Sequence, residues 1–170
     1  MLFRSDNPEA TVKELFRKVK GPDFPLGGKI VTDADALLKI YEEGTGSIKI
    51  QGEWKLEDLA KGKQQIVITS IPYNVEKAAL ENAIGALIED KKLPQLLGSH
   101  NETNEKEGMR IVLEMKAGAD ANHVMAYLYR HTEMQKGFSY NVTAIVPSAD
   151  GTAMVPRDRL SLKEIGRAHV

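Results

Sequence analysis

The chain has 170 residues, 42% apolar and 28% charged, with a formal net charge of −1, enough for one domain, or one domain with an attachment, and for a packed core without metal or disulfide staples. Cysteine is absent, which excludes a disulfide framework, a thiol nucleophile and any thiolate metal site, and suits the cytoplasm. No apolar run is long enough to span a bilayer, MLFRSDNPEA at the start lacks a signal-peptide core, and the near-neutral charge argues against a free-standing nucleic-acid binder, although a basic face can hide inside such a total.

Residues 9–19 place Val12, Leu15, Phe16 and Val19 at helical spacing. GPDFPLGG (21–28) then stops that helix in a turn-rich loop. Thr32 or Asp33 caps a helix running to about Glu43, with Ala36, Leu37, Ile40 and Tyr41 inward, and Gly44-Thr45-Gly46 ends it. SIKIQGEWK (47–55) alternates as one strand whose wet side carries Lys49 and Lys55. KGKQ (61–64) turns the chain into the next strand, Gln65–Ile71. Pro72 lacks an N–H and holds Ile71 extended, so it closes that strand. Asn74 is the expected cap of a helix from Val75, with Leu80, Ala83, Ile84, Leu87 and Ile88 on one stripe.

QLLGS (95–99) reads as a short strand and HNETNEKEG (100–108) as a polar loop. MRIVLEMK (109–116) alternates Met109, Ile111, Leu113 and Met115 against Arg110, Val112, Glu114 and Lys116. Asp120 caps a helix with Val124, Tyr127, Leu128 and His131 on one side, and FSYNVTAIV (138–146) is the closing strand. From 65 to 146 the order is β-α-β-β-α-β. The expected fold is therefore α+β: a ferredoxin-like antiparallel sheet with two helices on one face, the other face exposed, an additional N-terminal hairpin strand and flanking helices. In the tail, Ser161 caps a helix that stops after a few residues, so the chain reads as truncated there.

No catalytic constellation emerges from the residues. Tyr73 would need an activating partner, and Lys77 one turn on could supply charge; packing at a strand–helix corner is the stronger reading. His100, His123, His131 and His169 include no i, i+4 pair that would hold a metal on a helix. The acids at 102–107 lack calcium-loop spacing and read as a solvated turn. Met109, Met115, Met125 and Met134 read as core. The basic residues remain: Lys49 and Lys55 on a strand, and Lys77 at a helix start, where N–H donors and an ammonium together suit a phosphate.

Five blocks, GPDFPLGGKI, IYEEGTGSIKIQGEW, IVITSIPYNVEKAALENAIGALIEDKKL, EGMRIVLEMK and LYRHTEMQKGFSYNVTAIV, together resemble the A subunit of bacterial type IIA DNA topoisomerases, gyrase and topoisomerase IV. The resemblance covers roughly residues 13–165 and implies the tower region of the breakage–reunion subunit. That region follows the winged helix bearing the catalytic tyrosine and precedes the coiled coil. It divides the chain into N-terminal helices and the GPDFP loop (1–46), a tower sheet domain (47–148) and a tail toward the coiled coil (149–170). The family's tyrosine follows an arginine in an upstream motif, which Tyr41, Tyr73, Tyr127, Tyr129 and Tyr140 do not match; no catalytic residue, cofactor or metal site is expected in this chain.

Lys77 matches the lysine of the family's IPY motif and Lys49 lies in its G-S-I-K strand, so Lys77, Lys49 and Lys55 are the expected DNA contacts. Thr45 stands where the family commonly has arginine, and GSHNETN (98–104) replaces its L-R-D-E-S stretch, which weakens the basic edge. The implied parent is a cytoplasmic, ATP-dependent enzyme acting on double-stranded DNA as an A₂B₂ assembly. Mg²⁺ and ATP would be used through the partner B subunit, and no membrane is implied. Gyrase and topoisomerase IV are not separated by these residues. The rival reading is a stand-alone ferredoxin-like module that binds a protein or small ligand.

Overall fold

A computed structural model describes residues 9–25, 27–148 and 150–168, with the backbone alone at 61 and 166–168. His169 lies outside the described residues. The chain falls into two compact units, one made of 1–23, 31–49 and 137–170, the other of 24–30 and 50–136.

The second unit is built on a four-stranded antiparallel sheet of order β3-β4-β6-β5, from β3 (Trp54–Leu59), β4 (Lys63–Ile68), β5 (Leu96–Asn101) and β6 (Ile111–Met115). The turn from β3 to β4 passes through a short 3₁₀ segment at Ala60–Gly62. Helices α3 (Lys77–Glu89) and α4 (Ala121–His131) supply the other half of the core. Ile66 and Ile68 of β4 and Ile111, Leu113 and Met115 of β6 are buried with Leu80 and Ile84 of α3 and Val124, Met125 and Leu128 of α4. Alternation along the strands puts one row of side chains against the helices, and the 3.6-residue period puts one stripe of each helix against the strands. Met115, Met125 and Met134 are buried and Met109 packs against the cluster, as the sequence suggested. Ala83 is exposed, so the α3 stripe is narrower than expected.

The first unit holds α1 (Val12–Lys18), α2 (Ala34–Glu43), the hairpin of β8 (Ala144–Pro147) with β9 (Met154–Arg157), and α5 (Leu162–Ala168). Thr11 and Glu14 form a reciprocal capping box for α1, and Ser161 and Glu164 repeat it for α5. Asp33, not Thr32, caps α2; the Thr32 hydroxyl instead takes the Lys49 N–H at 2.6 Å. Leu37, Ile40 and Tyr41 are buried, but Ala36 is exposed. Gly44 closes α2 at φ 69°, the left-handed geometry expected of a C-terminal glycine. A separate three-stranded sheet has the order β1-β2-β7, from β1 (Lys29–Ile30), β2 (Thr45–Gln51) and β7 (Gln135–Asn141).

The class is α+β with antiparallel sheets, consistent with the ferredoxin-like expectation, and three points differ in detail. The run 47–55 is two strands rather than one. The break falls at Gly52, whose N–H donates to the Met134 carbonyl at 2.8 Å; a Cβ there would lie 2.6 Å from the Ser70 carbonyl and 2.8 Å from the Met134 methyl. The hairpin strand beside β4 is consequently 54–59. The closing run 138–146 is likewise two strands: β7 begins earlier than expected, at Gln135, ends at Asn141 and lies in the sheet with β2 rather than beside β4, while β8 pairs with β9. Finally, the sheet face turned away from α3 and α4 is not simply wet, because Val67 and Val112 at its centre are fully buried.

Candidate nucleic-acid interface

The strand–helix corner of IVITSIPYNVEK is built in one tight turn. The Val75 N–H donates to the Pro72 carbonyl at 3.2 Å. Pro72 and Val75 are buried, and the Tyr73 ring, 40% exposed, packs against Phe24 with centroids 5.9 Å apart. Asn74 is not the helix cap. It adopts φ 61°, which asparagine tolerates better than most residues. The helix begins two residues beyond Val75, at Lys77, with Glu76 at the cap position and no side-chain bond to the first N–H groups. Those donors and the half-buried Lys77 therefore share one end of α3.

The three expected lysines are not equivalent. Because the strand breaks at Gly52, Lys49 and Lys55 occupy different strands in different sheets and share no face. Lys49 is exposed on β2. Among the described residues neither Lys49 nor Lys77 has a carboxylate at salt-bridge distance. Lys55 does: its Nζ lies 2.9 Å from Glu57. It lines a cavity of about 490 Å³ together with Glu57, Glu107 and Arg110. A phosphate approaching Lys55 would meet the Glu57 and Glu107 carboxylates.

That cavity belongs to a polar network over the second face of the sheet. Arg110 lies at its centre, its side chain 16% exposed. It donates through both terminal nitrogens to Glu57 at 2.6 Å and through Nε to Glu102 at 2.7 Å. Gln65 adds a donor to Glu57 at 3.0 Å. His100 stands 3.0 Å from Glu102 and 3.5 Å from Glu114. Hydrogen bonds from Arg110, then Lys55 and Gln65, hold the Glu57 carboxyl well below the usual carboxylate range; Arg110 and then His100 lower Glu102. The same carboxylates push Arg110 upward. The acids at 102–107 are thus partly committed to Arg110 rather than merely solvated. Sequence periodicity marked Arg110 only as outward-facing; the alternation of Lys55 and Glu57 on one strand was the available signal.

The tyrosines are packed residues. Tyr41 is buried between the rings of Phe16 and Tyr140, and burial, aided by Tyr140, pushes its hydroxyl up to about 12. The Tyr129 hydroxyl donates to the Gly52 carbonyl at 2.9 Å, and burial raises both Tyr129 and Tyr140. Tyr127 stacks on His131 with centroids 4.1 Å apart. A raised phenol pKa disfavours the phenolate, the opposite of an activated nucleophile. Among the described residues no group of three His, Asp or Glu side chains is placed to hold a metal ion, and no helix is long and apolar enough to cross a membrane.

The family model for the A subunit of DNA gyrase/topoisomerase IV matches residues 3–165. The DNA gyrase A subunit of Clostridium acetobutylicum is 41% identical over 141 residues, 83% of this chain and 17% of that protein. The DNA gyrase A subunit of Borreliella burgdorferi is 41% identical over 146 residues, 86% of this chain and 18% of its own length. The DNA topoisomerase 4 A subunit of Streptococcus pyogenes serotype M18 is 36% identical over 145 residues, 85% of this chain and 18% of that relative. The chain thus spans less than a fifth of the length of the curated relatives it matches. It belongs to the family of DNA gyrase and topoisomerase IV A subunits.

Proposed function

We propose that this chain is the tower region of the DNA breakage–reunion subunit of a cytoplasmic, ATP-dependent type IIA topoisomerase. In this reading it supports the arms of a bent double-stranded DNA while a second duplex passes through the break. The scissile chemistry resides elsewhere in the longer polypeptide. Mg²⁺ and ATP are used through the partner B subunit of an A₂B₂ assembly, and no step here runs through either.

The observation that carries the reading is the corner at 72–77. It sets Lys77, without a carboxylate partner among the described residues, beside the uncapped start of a 13-residue helix. Backbone N–H groups and an ammonium there are suited to a phosphate oxygen, a contact that positions a duplex without reading its sequence. Lys49, exposed and without a carboxylate partner among the described residues, ranks second. Lys55 ranks third because Glu57 and Glu107 share its cavity. The packing of all five tyrosines supports the absence of a catalytic tyrosine from this chain.

The test is duplex-DNA affinity of the chain as a function of salt. Each phosphate contact adds about −0.9 to the slope of log K against log salt. Lys77→Ala is expected to weaken binding across sequences and to flatten that slope by about 1. Binding that ignores salt, or no binding to duplex at all, would favour the ligand-binding module instead.

A further inference from the structure

The turn that presents Lys77 is closed locally by one backbone hydrogen bond, from the Val75 N–H to the Pro72 carbonyl at 3.2 Å, and by no capping side chain. Asn74 sits at φ 61°, and neither Asn74 nor Glu76 caps α3 through its side chain. A second tie comes from 62 residues away. Lys136, near the start of β7, donates from Nζ to the Asn74 carbonyl at 3.1 Å. The same ammonium is held by Glu133 at 2.8 Å, and the Lys136 side chain is 33% exposed. Two of its three donors are therefore directed within the unit.

We infer that Lys136 is a positioning residue: by fixing the Asn74 carbonyl it holds the left-handed turn that sets the direction of α3 and the placement of Lys77. The DNA consequence rests on the reading of Lys77 as a phosphate contact; the turn-holding role does not. The left-handed basin is shallow for a residue other than glycine, so an unrestrained Asn74 readily leaves it. Rotation about Asn74 would swing the first turn of α3, which has no capping side chain to resist. Pro72 and Val75 anchor the side of the turn that faces the core, and the Tyr73 ring packs on Phe24.

The experiment compares Lys136→Met, Lys136→Arg, Lys77→Ala and the Lys136→Met/Lys77→Ala double variant in the 170-residue chain. Two quantities are read: amide hydrogen exchange along 74–80 and duplex-DNA affinity at fixed low salt. Lys136→Met should speed exchange at Val75 and Leu80, whose N–H groups donate to the Pro72 and Glu76 carbonyls on either side of the corner, by about threefold or more, the scale of one lost surface hydrogen bond, while β4 and β6 keep their protection. It should weaken DNA binding by a similar factor, add little to Lys77→Ala, and be rescued by Lys136→Arg. Unchanged exchange at the corner would overturn the inference. Additive loss of DNA affinity would overturn it as well, by making Lys136 an independent phosphate contact. Faster exchange with DNA affinity untouched in both single variants would uphold the turn-holding role and reject the reading of Lys77 as a DNA contact.

Discussion

At the scale of single residues, two backbone positions decide more than any charged group. Gly52 separates what its sequence context presents as one strand, since a side chain there would collide with the Ser70 carbonyl and Met134. Gly52→Ala should cost about 1–3 kcal/mol, the range of overpacking a closed site, read as a lower urea midpoint with unchanged slope. Asn74 is the second such position. Asn74→Gly should be tolerated because glycine occupies positive φ freely. Asn74→Val should lose about 1–2 kcal/mol, because a β-branched side chain is poorly accommodated there; equal stability of the two variants would contradict this. Neither position is legible from hydrophobic pattern. Asn74 before a helix looks like a cap, and the sequence carries no mark of the 3.1 Å bond that Lys136 makes to it.

Elements show the opposite balance. The helices α3 and α4 and strands β4 and β6 were readable because burial imposes a period, and that period survives in Ile66, Ile68, Leu80, Ile84, Ile111, Leu113, Val124 and Leu128. The cap at Ser161 was local as well. What escaped was the network joining four strands, because Glu57, Glu102 and Arg110 meet only once the sheet is assembled. Its pH behaviour follows from the direction of the shifts. Glu57 and Glu102 have folded-state pKa values below their ordinary 4.5. The stabilisation they bring is therefore complete above about pH 4.5 and is lost as the pH falls through the lowered folded values. The urea midpoint should drop progressively below about pH 4.5, and Glu57→Gln should flatten that drop. A wild-type profile level down to pH 3 would count against the network.

For the whole molecule, the question is what 170 residues of a much longer family can do. Every tyrosine is engaged in packing or ring contact, and three have hydroxyls pushed upward by burial. Incubation of the chain with supercoiled DNA and Mg²⁺ should accordingly give no denaturant-resistant DNA adduct; an adduct lost on any single Tyr→Phe change would refute the assignment of chemistry elsewhere. The sequence by itself determined the α+β class, the order of helices and strands from 65 to 131 and the family, because periodic burial and a string of turn-forming motifs are properties of neighbours along the chain. Tertiary structure alone decided which strand lies beside which, that Lys55 is compensated while Lys49 and Lys77 have no carboxylate partner among the described residues, and that Lys136 holds Asn74. The reason is physical: strand partners and charge pairs are set by contacts between distant segments, and those have no period for a sequence to display.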